Sequence, residues 1–94
     1  MTAPCGDPGP GETAARALAP LPWGSFRGRS LGRDWLVTRT RFARGASEKI
    51  VARALDAEGY VSANLYHLES GPRLRPCEMP AAHVLRFLAD LSIL

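Results

Sequence analysis

Glycines recur along the second half of the chain at the spacing of turns between short strands. Gly45, Gly59 and Gly71 follow one another at intervals of 14 and 12 residues, near the interval of about 10 that a meander of antiparallel strands shows. The segment DAEG separates KIVARAL from YVSANLYHL, and ESGP separates YVSANLYHL from RLRP, so each fits a short hairpin loop. The sequence therefore predicts strands at 35–42, 48–56, 60–68 and 73–77.

Residues 47–58 also fit a helix, which is the main alternative. Ser47 is a suitable N-cap, Gly59 is a suitable C-cap, and four apolar side chains would share one helical face: Ile50, Val51, Ala54 and Leu55. Under that alternative the domain becomes a strand, a helix, two strands and a final helix. We favour the strand because two successive loops of hairpin length border the segment 60–68.

The segment PAAHVLRFLADLSIL has the pattern of an amphipathic helix. Four apolar residues follow the i, i+3, i+4 and i+7 spacing of one helical stripe: Val84, Phe87, Leu88 and Leu91. Leu85, Ile93 and Leu94 extend the apolar surface beyond what one small sheet covers, which predicts a homodimer through this helix. The expected fold class is α+β, with a small antiparallel meander of about four strands packed against one C-terminal amphipathic helix.

Residues 1–22 have the composition of a flexible tail. They hold five of the eight prolines and three of the nine glycines, without an aromatic residue. The expected organisation is a tail over 1–22 and a single domain over 23–94. The tail lacks the pattern of a signal or transit peptide, so the cytoplasm is the expected location. Cys5 and Cys77 indicate neither a disulfide framework nor a zinc site.

The charge of the chain favours an anionic partner. The net charge is +3, Lys49 is the only lysine, and the other eleven basic residues are arginine, whose guanidinium group binds phosphate and stacks on flat rings. Nucleic acid and an acidic protein surface are the two partners of this kind. High genomic GC content is an equally good explanation for arginine over lysine. No apolar run approaches the roughly 18 residues that span a bilayer, so no membrane partner is expected.

Alternation along the predicted strands assigns side chains to two faces of the sheet. One face would pack against the helix and collects mainly apolar residues: Leu36, Phe42, Ile50, Ala52, Ala54, Val61, Ala63, Leu65 and Leu74. The opposite face collects basic and aromatic residues, which are the candidate binding residues: Trp35, Arg39, Arg41, Lys49, Arg53, Tyr60, Tyr66, Arg73 and Arg75. Such a face suits single-stranded nucleic acid, because guanidinium groups neutralise phosphates while flat rings stack on bases of any sequence.

This pattern resembles the positive cofactor 4 family of transcriptional coactivators. The segments that carry the resemblance are EKIVARALDAEGYVSANLYHL, RLRP and AAHVLRFLADL. Members of that family are small dimers that bind single-stranded DNA across their sheets. The resemblance therefore implies a homodimer, DNA rather than RNA, and a role in transcription. It also implies basic and aromatic contacts at Lys49, Arg53 and Tyr66.

The sequence predicts a binding protein rather than an enzyme. His67 and His83 are the only histidines, and both fit packed or solvated positions better than a catalytic role. Neither they nor Cys77 and Glu78 have the close paired spacing of zinc ligands, so no catalytic residue, metal or cofactor is expected. The alternative function is a small protein-interaction module that docks on an acidic partner without binding nucleic acid.

Overall fold

The computed structural model describes residues 9–56 and 58–94. Helix α1 is Pro10–Leu18 and helix α2 is Ala81–Asp90. The strands are β1 Gly24–Ser30, β2 Arg33–Phe42, β3 Ser47–Ala54, β4 Tyr60–Leu68, β5 Gly71–Pro76 and β6 Ser92–Ile93. The strands form a single sheet in the order β5-β4-β3-β2-β1-β6, and every neighbouring pair is antiparallel.

The α+β class and the antiparallel sheet are confirmed, whereas the predicted number of elements is wrong. Among the described residues the sheet has six strands rather than four, and there are two helices rather than one. Strand β1, GSFRGRS, has one large apolar residue and thus no alternating pattern to detect. Strand β6 has two residues. Residues Ser47–Ala54 form a strand paired on both sides, so the helical alternative for this segment is wrong.

Helix α1 lies where the sequence predicts a flexible tail, so that prediction is wrong for residues 9–22. Ala14 and Leu18, one helical turn apart, are buried in the core together with Leu21. Gly11 lies so close to β5 that a Cβ atom there would stand 2.0 Å from the carbonyl oxygen of Pro72. A short helix is marginal alone, and its apolar stripe is what stabilises it here. The rest of the predicted tail, residues 1–8 with Cys5, lies outside the described residues.

Both helices cover the same face of the sheet and leave the other face uncovered. Their buried side chains join those of the central strands in one core. The ring of Phe87 in α2 meets the ring of Trp35 in β2 edge to face, with centroids 4.9 Å apart. Ser30 in β1 donates a 2.7 Å hydrogen bond to the Phe87 carbonyl and accepts, through its own carbonyl, a 2.9 Å bond from Trp35 Nε1. These contacts dock α2 on β1 and β2.

Strand β2 presents the face opposite to the one predicted. Trp35 and Val37 point toward the helices, whereas Leu36 and Phe42 lie exposed on the uncovered side. The strand DWLVTRTRF has apolar residues in both phases of the alternation, so the phase is ambiguous from its sequence alone. The turn Ala43–Gly45, whose three residues all have positive φ, pairs Phe42 with Ser47. The turn thereby pairs odd-numbered residues of β2 with even-numbered residues of β3, so these two sets point to the same, helix-covered face.

No helix in the described part of the chain is long and apolar enough to cross a bilayer.

Candidate functional site

The uncovered side of the sheet, here called the open face, brings together most of the predicted binding residues. Lys49, Arg53, Tyr60, Tyr66, Arg73 and Arg75 all lie on it. The register places them in rows across the strands: Arg53 opposite Tyr60, and Tyr66 opposite Arg73. Successive rows along a strand are about 7 Å apart. The six residues therefore form one continuous surface over β3, β4 and β5.

The open face has more positive than negative side chains. Five cations on it have no ion-pair partner among residues 9–56 and 58–94: Arg27, Lys49, Arg53, Arg73 and Arg75. The one carboxylate that the described strands place on this face, Asp34, forms a 2.9 Å ion pair with Arg29. No carboxylate of the described strands thus neutralises the five cations, so these strands do not offset their attraction for an anionic ligand.

Two tyrosines lie near opposite ends of the open face. Tyr60 is 44% exposed and Tyr66 is 37% exposed, and they lie six residue steps apart along β4, a distance of about 20 Å. The guanidinium carbon of Arg53 lies 5.1 Å from the ring centroid of Tyr60, so a cation and a ring share one position. Exposed rings of this kind offer flat apolar surface on which a base can stack.

Arg27, Leu36 and Phe42 also lie on the open face, although they are not among the predicted binding residues. Arg27 pairs with Leu36 across β1 and β2, and Phe42 lies at the end of β2 beside the row of Tyr66. Arg27 lies on β1, whose sequence has no alternating pattern that predicts a strand. The alternation predicts Leu36 and Phe42 on the core side, and because both phases of β2 contain apolar residues, no signal in β2 alone corrects this.

Three predicted binding residues do not belong to the open face. Trp35 is 3% exposed and lies in the core, and Arg39 is 7% exposed on the helix side. Arg41 shares the parity of Arg39, and its guanidinium carbon lies 4.6 Å from the centroid of the Trp23 ring. Their assignment to one surface with the other six residues is wrong, because β2 has the opposite phase.

Arg39 belongs instead to a buried ionic cluster with Glu48 and His67. Arg39 Nε donates to Glu48 Oε1 at 2.7 Å, and His67 Nε2 lies 2.8 Å from Glu48 Oε2. Arg39 Nη1 donates to the carbonyl of Leu21 at 2.6 Å, and its guanidinium stacks 3.7 Å above the Trp23 ring. Arg39 therefore ties the connection between α1 and β1 to the sheet.

The carboxyl group of Glu48 stays ionised within this cluster. Burial raises the pKa of Glu48, but the hydrogen bonds and charges of Arg39 and His67 outweigh burial and place the pKa below its ordinary value. Both carboxylate oxygens have partners, so the cluster satisfies its buried charge. The cluster has a structural explanation, and within residues 9–56 and 58–94 the one side chain that hydrogen-bonds His67 is Glu48.

The other candidate groups are isolated. Cys77 is half-buried, and its Sγ lies 3.8 Å from Asn64 Nδ2. His83 lies half-buried on α2. In the part of the chain that the structure describes, no three His, Cys, Asp or Glu side chains are placed to hold a metal ion together. The open face is therefore the strongest candidate site.

Comparison of the chain with protein-family models, curated protein sequences and solved structures finds no match. The resemblance to the positive cofactor 4 family stays a prediction from the pattern of strands and helix. The additional strands β1 and β6 and the helix α1 extend beyond that pattern.

Proposed function

We propose that this protein binds single-stranded nucleic acid on the open face, with little dependence on sequence. One observation carries the proposal: five cations without ion-pair partners among the described residues share an uncovered sheet face with two exposed tyrosines. A surface of this composition matches the two chemical groups that every single strand presents, its phosphates and the flat faces of its bases.

Each kind of side chain has a separate role in this proposal. Arg53, Arg73 and Arg75 contact phosphates and release the cations condensed on them, which drives association entropically. Tyr60 and Tyr66 stack on bases, each stack contributing about 1–3 kcal/mol. Leu36 lies between Arg27 and Arg53 in one row, and the half-buried Val51 lies between the rows of Lys49 and Arg53. Both provide apolar contact for the rings of further bases.

A single strand fits this face better than a duplex. The strands present a broad surface without a projecting helix to enter a major groove. Helix α2 lies on the other side of the sheet, and its outward residues include one cation, Arg86, beside Asp90. The family resemblance favours DNA over RNA, and a role in transcription within the cytoplasm completes the proposal.

A protein-interaction module is the second candidate function. Leu36, Phe42 and Leu68 are exposed on the open face, and exposed apolar side chains on a face that also has unpaired arginines suit an acidic partner with an apolar centre. Such a module would bind no oligonucleotide at low salt. The oligonucleotide titration described below therefore separates the two functions.

We also propose that the protein forms a homodimer. The inward stripe of α2 is occupied by the core of its own chain, so the surface available to a second copy lies at the end of the helix and in β6. Ile93 and Leu94 are exposed there. Light scattering after size exclusion is expected to give twice the mass of the chain, and Ile93→Ser with Leu94→Ser is expected to give the mass of one chain. A single-chain mass for the wild type would contradict the dimer.

The salt dependence of binding tests the main proposal. A fluorescently labelled thymine oligonucleotide of about 15 nucleotides is titrated with protein, and anisotropy gives the Kd. The logarithm of the association constant is expected to fall with the logarithm of salt at a slope near −3.5, since each of up to five neutralised phosphates contributes about −0.7. The Kd would then weaken roughly a hundredfold between about 50 and 200 mM salt.

Arg86→Ala is the matched control, because Arg86 is an exposed arginine on the helix side of the molecule. It removes one positive charge without touching the open face, and it is expected to keep the wild-type slope. Arg75→Ala removes the same charge from the open face and is expected to reduce the slope by about 0.7. No binding at about 50 mM salt, or equal slopes for both variants, would contradict the proposed site.

A further inference from the structure

Asn64 lies on the middle strand of the surface formed by β3, β4 and β5, between two cations. It lies on β4 with Lys49 directly opposite on β3 and Arg75 directly opposite on β5. Its side chain is half-buried, and Tyr66 lies two residues along the same strand, about 7 Å away. A nucleotide whose phosphate meets Lys49 or Arg75, and whose base stacks on Tyr66, therefore brings a base edge close to this amide.

The amide of Asn64 has hydrogen-bonding capacity that the described residues do not use. Its Nδ2 lies 3.8 Å from Cys77 Sγ, a weak partner for a group with two strong donors. Its Oδ1 accepts no hydrogen bond from residues 9–56 or 58–94. A thiol is both a weak donor and a weak acceptor, so the contact leaves the amide able to turn and present either of its groups.

A second polar group beside Asn64 is also without a partner. Ser62 lies two residues earlier on β4, is 1% exposed, and its Oγ forms no hydrogen bond within the described segments. A buried hydroxyl that lacks a partner is uncommon in folded proteins and calls for an explanation. The Ser62 hydroxyl and the Asn64 amide thus have hydrogen-bonding capacity that the described residues do not satisfy. Both lie in the middle of β4, where the bound nucleic acid is proposed to cross the sheet.

Resting on the proposed function, we infer that Asn64 reads the edge of a base and gives the open face a preference for adenine. A side-chain amide forms two hydrogen bonds with adenine, accepting from N6 and donating to N7. In single strands this edge is free of any pairing partner and accessible to protein side chains. Lys49 and Arg75, on either side of Asn64, contact the phosphates. They thereby fix the nucleic-acid backbone next to the amide that contacts the base.

Three labelled strands of about 12 nucleotides test this inference: oligo-adenine, oligo-thymine and oligo-7-deazaadenine. The last retains the stacking surface and N6 of adenine but lacks the N7 acceptor. The wild type is expected to bind oligo-adenine about tenfold more tightly than oligo-thymine, and to lose most of that preference for oligo-7-deazaadenine. Comparison of the two purine strands separates edge reading from the stronger stacking of purines.

Asn64→Ala is expected to bind all three strands with nearly the affinity of the wild type for oligo-thymine. Asn64→Thr, which has a high strand propensity, repeats the test if the alanine variant folds poorly. Thr40→Ala changes an exposed side chain in the same row of the sheet and is expected to keep the preference. Equal binding of the three strands by the wild type, or an unchanged preference in both Asn64 variants, would overturn the inference while leaving the proposed function standing. Failure of every strand to bind at low salt would overturn both.

Discussion

Arg39→Ala is expected to lower the free energy of unfolding by about 3–5 kcal/mol, the range for removing one partner of a buried ion pair. Arg39 is nine-tenths buried, and its guanidinium is the closest cation to Glu48, at 2.7 Å. The variant leaves the Glu48 carboxylate buried with His67 as its remaining partner. It also removes the hydrogen bond to the Leu21 carbonyl and the stacking on Trp23. Urea unfolding followed by tryptophan fluorescence measures the loss.

Two further variants test whether the loss of stability in Arg39→Ala comes from leaving a buried charge unpaired. Arg41→Ala removes an exposed arginine two residues away, which also contacts Trp23, and it is expected to cost less than about 1 kcal/mol. Arg39→Met combined with Glu48→Leu removes both charges and is expected to be more stable than Arg39→Ala, since no buried carboxylate is left unpaired. If Arg39→Ala and Arg41→Ala cost the same, the cluster does not stabilise the fold as described.

The double variant Arg53→Ala with Tyr66→Ala is expected to weaken binding of a thymine oligonucleotide about a hundredfold, from one lost stack and one lost phosphate contact. Arg53 lies opposite Tyr60, and Tyr66 lies opposite Arg73, so the two changes remove one group from each end of the open face. Both side chains are exposed, and their loss is expected to leave the free energy of unfolding within about 1 kcal/mol of the wild type.

Arg53→Lys with Tyr66→Phe is the matched control for this variant. It preserves one positive charge and one flat ring at the same two positions, and it is expected to bind within about fivefold of the wild type, because stacking and phosphate neutralisation both persist. Equal weakening by the alanine pair and the conservative pair would show that the loss comes from altered packing. Wild-type affinity in the alanine pair would move the binding surface away from the open face.

The part of the site that lies on β3, β4 and β5 could be predicted because these strands have one clear phase. In β4 the apolar residues Val61, Ala63 and Leu65 alternate strictly with polar or aromatic ones, and the opposite phase contains no aliphatic residue before Leu68. Strand pairing then brings Arg53 and Tyr60 together on one face. The amphipathic pattern of α2 is equally clear, and its stripe forms part of the core.

The part that depends on β2 could not be predicted, because both phases of β2 are plausible. Trp35 and Val37 occupy one phase, and Leu36 and Phe42 occupy the other. An arginine at position 39 suggests an exposed phase, since an unpaired arginine is rarely buried. Its partner Glu48 comes nine residues later, on the other side of a turn, and only the pairing of β2 with β3 brings the two side chains together.

The sequence by itself determined the local elements whose pattern repeats within one segment: the hairpins around Gly59 and Gly71, the alternation of β4 and the stripe of α2. The tertiary structure decided the faces of β2, the packing of α1 against β5, and the addition of β1 and β6 to the sheet. A shift of one residue in strand register turns every side chain to the other face. Register depends on turn geometry and on partners distant in sequence, and a short helix such as α1 is stable only when another element covers its apolar stripe.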